Sequence, residues 1–470
     1  MTVPQWVSDT VFYQIFPDRF ANGAPELDPP NVQPWDSAPT LTGFQGGDLP
    51  GVIRRFEYLL DLGISGIYLN PVFLSPSNHR YNTVDYYRID PKLGDPVVFR
   101  SLIDLAHRNG VKVILDGVFN HCGRGFFAFN DLLENEQHSP YRDWFHVHKV
   151  PLDAYGPGKA VHYEAWWGFK SLPKFNTANP SVRRYLVDVA RHWIEQGADG
   201  WRLDVPNEID DDSFWAELRV AVKTANPEAY LVGEIWDVNP RWVGPGHFDG
   251  LTHYPLRQAI LDFVAAGSLA PTQFTARIEE LFHAYPQEHV FAHYVTLGTH
   301  DTERVRTVCG GSPVKVKLAF LALFTSPGAP GIYYGDEIGL EGGKDPDSRR
   351  TFPWNSEAWS TELRSFVQRL IRIRREIPAL RRGDVRVLMA DDRQGVVALA
   401  RSLQGQSAVV LLNASSASHR VRIDVTSLGW NDGTAMVNAL DDGRPAIRAG
   451  RLEVTLPPHG GAILYPRDGP

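Results

Sequence analysis

At 470 residues the chain exceeds what one compact core accommodates, which predicts a large domain of roughly 250 or more residues with smaller ones attached. A formal net charge of −8, from 47 basic and 55 acidic residues, argues against nucleic acid or another polyanion, which a clustered basic surface would be needed to hold. The start of the chain lacks a basic segment followed by an apolar run and no stretch of about 18 apolar residues occurs, so neither a leader nor a membrane span is expected and the chain reads as cytoplasmic.

Short β-like runs alternate with amphipathic helical stretches over the first 380 or so residues, the pattern of parallel βα units. The runs predict strands at 12–16, 66–70, 111–118, 200–205, 230–234, 248–253, 292–297 and 331–334. Helices are predicted around Val52 to Leu62, with Ile53, Phe56 and Leu60 on one face, and across Val97 to Arg108. The stretch from about Cys122 to Asn176 shows no sustained period and reads as a long excursion. Helical spacing resumes over Ser181 to Gln196, with Val182, Leu186, Val189 and Trp193 in register and Pro180 just before. Further helices are expected at Asp212 to Thr224, Pro271 to His283, Val314 to Phe324 and Leu363 to Ile377. From about Gly383 short alternating runs such as Val396 to Ala400 and Ala408 to Leu412 predict a small antiparallel β domain. The fold class expected is α/β, with residues 1–121 and 177–382 building the barrel, 122–176 inserted and 383–470 forming the β domain. The two cysteines, Cys122 and Cys309, lie far apart and read as reduced thiols.

Acidic residues recur where the predicted strands meet solvent: Asp116 after Lys112 to Leu115, Asp204 after Gly200 to Leu203, Glu234 after Ala229 to Gly233, and Asp301 after Thr299 and His300. A single acid at a strand end is most often a helix cap or a solvated loop residue, but the joint placement suits the mouth of a barrel. Asp204 lies two residues after Arg202, hence on the same side of its strand, where a guanidinium would hold a carboxylate ionised. Glu234 ends an apolar strand with Trp236 nearby, and partial desolvation would keep it protonated near neutrality. Two carboxyls in those states are what cutting a glycosidic bond through an oxocarbenium-like transition state requires. The 13 tryptophans exceed what a core demands, and flat rings with polar edges suit sugar faces.

These strings resemble the conserved segments of the alpha-amylase family, glycoside hydrolase family 13, over nearly the whole chain. Leu172 to Asn176, Val205 to Glu208, the opening Phe12 to Asn22 and Asn78 to Tyr81 are similar to its neopullulanase, cyclomaltodextrinase and maltogenic amylase branch. The resemblance implies a (β/α)8 TIM barrel with a B domain inserted after strand 3 and a C-terminal β-sandwich. It implies Asp204 as nucleophile, Glu234 as acid and then base, and Asp301 as the residue that holds the distorted sugar ring. Tyr81, His121, Arg202 and His300 would surround that sugar, Asp345 and Arg349 the next glucose outward, and Trp236 and Glu208 the acceptor side; Asp116 and Asn120 would support the site. The reaction expected is retaining hydrolysis of α-1,4 bonds, with some α-1,6 cleavage and transglycosylation, in maltooligosaccharides, cyclodextrins or pullulan. The rivals are an α-glucosidase or a sugar-isomerising glucosyltransferase acting on disaccharides and, from another class, a non-catalytic binding module on the same fold.

The sequence departs from that branch in two places. Members usually carry an N-terminal β-rich domain that contributes to dimerisation, whereas here the first strand begins within a dozen residues of Met1, so a monomer, or a dimer that does not use such a domain, is expected. Relatives often bind calcium in the loop after strand 1, and the matching positions are Asn22, Asp28, Gly46 and Asp48. Calcium takes six to eight oxygens, so this set would be under-filled; the chemistry requires no cofactor, and a structural Ca2+ stands as the one metal to test.

Overall fold

The computed structural model describes residues 2–441 and 443–467. Eight parallel strands pair in one sheet: β1 Phe12–Ile15, β2 Gly66–Leu69, β3 Lys112–Gly117, β4 Gly200–Leu203, β5 Tyr230–Gly233, β6 Gly250–Leu251, β7 Tyr294–Thr296 and β8 Ala329–Tyr333. Each strand from β1 to β5 pairs with the next, β1 also pairs with β8, and β8 pairs with β7. The remaining seam closes through a parallel bridge of Thr252 with Tyr294 and a 2.8 Å hydrogen bond from the His253 amide to the Tyr294 carbonyl. The sixth strand is thus shorter than the predicted 248–253: Asp249 turns its carboxylate to Arg219 and Lys223 on the outer helix, both at 2.8 Å, and His253 already leads into the next helix.

Strand periodicity explains what fills the barrel. Side chains two residues apart share a face, and the first inward layer is apolar: Phe12, Ile114, Tyr230 and Tyr294 pack with Tyr68, Val232 and Ala329. Phe12 stacks on Tyr230 with centroids 6.0 Å apart and meets the edge of Tyr294 at 5.8 Å, and Trp6 closes the cluster from below. Gly200 in this layer has no room for a side chain, since a Cβ would sit 2.2 Å from the Tyr230 carbonyl. One step up, the same periodicity delivers Gln14, Asp116 and Arg202; a further step delivers Asn70, Asp204 and Glu234. A dry plug therefore carries a polar floor, as barrels with active sites at their C-terminal mouths do.

The outer helices begin where capping chemistry predicts. Asn179 accepts from the Ser181 amide at 2.8 Å ahead of Pro180–Glu195, and Asp95 from the Val98 amide at 2.8 Å ahead of Pro96–Arg108. Pro180–Glu195 buries Val182, Leu186, Val189 and Trp193, the face expected from spacing. The excursion after β3 differs from its expectation in one element, a nine-residue helix over Phe127–Asn135. Its buried residues Ala128, Phe129 and Leu132 span little more than one turn, too short for a period to emerge, and the helix is held by aromatic packing such as Phe129 against Phe145 and Tyr163, both at 5.0 Å.

Beyond the barrel, a five-stranded antiparallel sheet that starts with Asp384–Asp391 packs against a three-stranded one built from His419–Asp424, Ala446–Arg448 and Arg451–Leu456. Val409, Leu411, Ile423, Leu452 and Leu464 fill the space between them, giving the sandwich expected. Its other face joins the main core through Val410, Leu412 and Ile463. No helix among the described residues is long and apolar enough to cross a membrane.

Candidate active site

The centre of the barrel mouth is one guanidinium shared by three carboxyls. Arg202 Nη1 lies 2.9 Å from Asp116 Oδ1 and 3.0 Å from Asp204 Oδ1, and Nη2 lies 2.6 Å from Glu234 Oε1. Register produces this: Arg202 pairs with Asp116 across β3 and β4, while Leu203 pairs with Gly233 across β4 and β5, so the acids at the next positions flank the arginine. Arg202 was expected to hold Asp204 ionised; the structure divides its charge among Asp204, Glu234 and Asp116. The second oxygen of Glu234 accepts from the Val205 amide at 3.0 Å. To aim that amide, Val205 takes φ 35°, ψ 52°, a left-handed conformation that a β-branched residue adopts only under strain.

Burial dominates the protonation of the pair. Asp204 is 8 % and Glu234 3 % exposed, and desolvation pushes both carboxyls up, Glu234 to about 7, against the opposing pull of Arg202. One cation facing three acids does not balance their charge, so both carboxyls are held toward the protonated form.

A chain of contacts runs outward from this centre. The Tyr81 hydroxyl donates to Asp116 Oδ2 at 2.7 Å and lies 2.6 Å from His300 Nε2, and the two rings are stacked at 5.3 Å and 3°. His300 Nε2 is 3.1 Å from Asp301 Oδ2. Arg349 reaches Asp301 Oδ1 at 3.3 Å with one nitrogen and Asp345 Oδ1 at 3.1 Å with another, so the Asp345–Arg349 pair is part of the cleft and joins its outer rim to Asp301. His121 is buried beside the Tyr81 backbone, with burial driving its pKa down to about 3. Its Nδ1 meets the Asn120 amide at 3.1 Å, its Nε2 has no partner, and its ring stacks on Trp166 at 5.6 Å.

Glu208 and Trp236 stand outside this network. Glu208 is half-buried in the turn Pro206–Glu208. Trp236 is 48 % exposed and lies flat on Tyr254 at 3.7 Å and 2°, while Tyr254 feels the charges of Glu234 and Asp301. The positions considered for calcium form a separate cluster. Both Asp48 oxygens are committed to backbone amides, of Gly23 at 2.9 Å, Ala24 at 2.8 Å and Gly51 at 2.6 Å, which makes Asp48 a helix cap. The Asn22 amide contacts both Asp28 oxygens at 3.0 Å, leaving buried Asn22 Oδ1 without a partner beside Gly46. Asn22, Asp28 and Gly46 alone fall short of six oxygens, so these residues do not complete a calcium site by themselves.

Sequence reasoning passed over Gln14, Tyr68, Asn70, Trp166 and Tyr254. The first three had a readable signal, a polar group on the inward face of an apolar barrel strand. Trp166 and Tyr254 had none, because their neighbours come from distant segments.

Comparison with known proteins agrees with this fold. The alpha-amylase catalytic domain profile matches residues 14–382. The chain is 45% identical over 465 residues to a cyclomaltodextrinase of Geobacillus thermopakistaniensis, covering 98% of this chain and 77% of that one. It is 42% identical to neopullulanase 2 of Thermoactinomyces vulgaris, covering 99% and 79%. Among solved structures, the cyclic alpha-maltosyl-(1→6)-maltose hydrolase of Arthrobacter globiformis superposes with a TM-score of 0.90 at 39% identity, over 99% of this chain and 100% of that one. Ttha1563 from Thermus thermophilus superposes with a TM-score of 0.94 at 45% identity, over 98% and 100%. With its barrel, a profile match over most of its length and relatives this similar, the chain belongs to the alpha-amylase family of glycoside hydrolases, as a retaining α-glucan hydrolase of the branch that holds the neopullulanases and cyclomaltodextrinases.

Proposed function

We propose that this enzyme cleaves α-1,4 bonds, and some α-1,6 bonds, in maltooligosaccharides, cyclodextrins or pullulan, and transfers part of the glycosyl product to sugar acceptors. The observation that carries the reading is the Arg202 guanidinium with Asp204 on one nitrogen and Glu234 on the other. In the proposed first step, Asp204 attacks the anomeric carbon while Glu234 gives its proton to the departing glycosidic oxygen. Positive charge developing at that carbon favours ionised Asp204, while buried Glu234 keeps its proton for the leaving oxygen. Asp301, held by His300 and Arg349, accepts from the ring hydroxyls and stabilises the same charge. In the second step Glu234 takes a proton from water, whose oxygen attacks the glycosyl ester, releasing Asp204 and an α-anomeric product. A sugar hydroxyl in place of water gives transfer, and the exposed Trp236 face offers that sugar a stacking surface.

Time-resolved product profiling on maltotriose, β-cyclodextrin and pullulan tests the reading. Smaller sugars of α configuration, with longer transfer products appearing at high substrate concentration, are expected. Absence of any smaller sugar from all three would refute it, and that absence together with glucose released from added maltose, or isomers formed from added sucrose, would favour the disaccharide alternatives.

A further inference from the structure

Beneath the proposed site lies a buried polar cluster whose donors and acceptors admit only one arrangement. Asp116 anchors it, accepting from Arg202 Nη1 at 2.9 Å, the Tyr68 hydroxyl at 2.6 Å and the Tyr81 hydroxyl at 2.7 Å. A carboxylate in this role only accepts, so each phenol spends its single proton there. The Tyr81 oxygen is then an acceptor toward its remaining neighbours, Asn70 Nδ2 at 3.0 Å and His300 Nε2 at 2.6 Å. This side of the ring favours a proton on His300 Nε2 without fixing it alone.

The opposite side of the ring leads independently to the same result. His300 Nδ1 faces two amide nitrogens, Gln14 Nε2 at 3.0 Å and Asn70 Nδ2 at 3.2 Å, and amide nitrogens only donate. The orientation of both amides is itself determined. Asn70 Nδ2 points at the two phenol oxygens and Asp116 Oδ2, where a carbonyl would be repelled by the carboxylate, and this leaves Asn70 Oδ1 to accept from Gln14 Nε2 at 3.0 Å. The second proton of Gln14 goes to His300 Nδ1. Gln14, Asn70 and His300 are at most 1 % exposed, so water does not scramble the order. Gln14 Oε1 is left buried without a partner, a cost that an apolar residue of the same size would avoid.

We propose that Gln14 and Asn70 form a relay that transmits the polarity of the Arg202–Asp116 pair to His300, fixing it as the neutral tautomer with its proton on Nε2, aimed at Tyr81 and Asp301. The inverted tautomer would turn a lone pair toward Asp301 Oδ2, now 3.1 Å away, and release the carboxylate from one of its two holders, Arg349 being the other. Gln14 touches no substrate; it is a positioning residue acting through the imidazole. The assignment of the cleft as sugar-binding rests on the function proposed above, whereas the tautomer rests on hydrogen bonding alone.

Long-range proton–nitrogen correlation spectra of histidine-labelled protein test the relay without substrate, and therefore separately from the hydrolase reading; loss of one signal set in His300→Asn assigns the ring. The wild type is expected to show protonated Nε2 and bare Nδ1, and Gln14→Glu, which places an acceptor at Nδ1, to show protonated Nδ1. Gln14→Met, which removes the donor without adding an acceptor, is expected to give a mixture and to lower kcat on maltohexaose about tenfold with KM little changed. A wild-type ring protonated on Nδ1 would overturn the proposal, as would a Gln14→Met ring with the unaltered wild-type pattern. Unchanged kcat in a variant whose tautomer has shifted would overturn the positioning role. If Gln14→Glu fails to fold, the wild-type and Gln14→Met spectra still decide.

Discussion

Replacing Glu234 by Gln keeps the shape of the side chain and removes its proton chemistry. Both Glu234 oxygens meet donors, Arg202 Nη2 at 2.6 Å and the Val205 amide at 3.0 Å, whereas Gln offers one acceptor and one donor. Whichever way the amide turns, its NH2 group faces a donor, so the variant is expected to lose about 1–3 kcal/mol of folding stability. The loss in rate is larger. General acid catalysis contributes roughly a hundredfold to ten-thousandfold, or about 3–5 kcal/mol of transition-state stabilisation, so maltohexaose hydrolysis should fall more than a hundredfold. The decisive assay compares maltohexaose with α-maltosyl fluoride, whose leaving group departs without a proton. First-turnover fluoride release by Glu234→Gln is expected within about tenfold of the wild type, with thermal unfolding confirming that the variant is folded. A near-normal rate on maltohexaose, or equal losses on both substrates, would remove Glu234 from the acid role.

With Glu234 pushed up to about 7 by burial, kcat/KM should fall as pH rises through that value, the apparent constant belonging to the Asp204–Glu234 pair; a profile flat between about pH 6 and 9 would contradict this. Asp204→Ala should abolish hydrolysis, and azide entering the vacated space should form a β-glycosyl azide from α-maltosyl fluoride; an α-azide would mean that the attacking side is assigned wrongly. Asp336, buried against Arg304 at 2.8 Å, is raised by desolvation from 3.8 to about 7. The folded state then binds the extra proton between those values, so this group's contribution to stability is full below about pH 4 and is lost as pH rises through 7. Chemical denaturation across that window should show a shallower fall for Asp336→Asn than for the wild type, and equal slopes would show that the carboxyl does not titrate there.

What the sequence revealed and what it concealed divide along physical lines. Asp116, Asp204 and Glu234 were legible because a short apolar run ending in an acid marks both a buried strand and its exit into solvent. Helix Pro180–Glu195 was legible because sixteen residues contain several turns of one periodicity. The division of Arg202 among three acids was not, since it depends on the register between β3, β4 and β5, which no single strand encodes. An i, i+4 pair such as Asp345 and Arg349 reads alike on a surface and in a cleft; burial of Arg349 against Asp301 and the His300 carbonyl, 3.0 Å away, separates the two cases. Helix Phe127–Asn135 was concealed because its stability comes from distant aromatic rings rather than from a repeating pattern of its own.

The backbone of Val205 bears on how this enzyme would respond to selection for heat resistance. A glycine there would relax a left-handed valine and could recover on the order of 1 kcal/mol, so a screen that rewards survival alone would favour it. The same exchange would free the amide that now steadies the proton donor. Thermally hardened descendants altered at this position are therefore expected to turn over more slowly, placing a trade between endurance and speed at the peptide unit following Asp204.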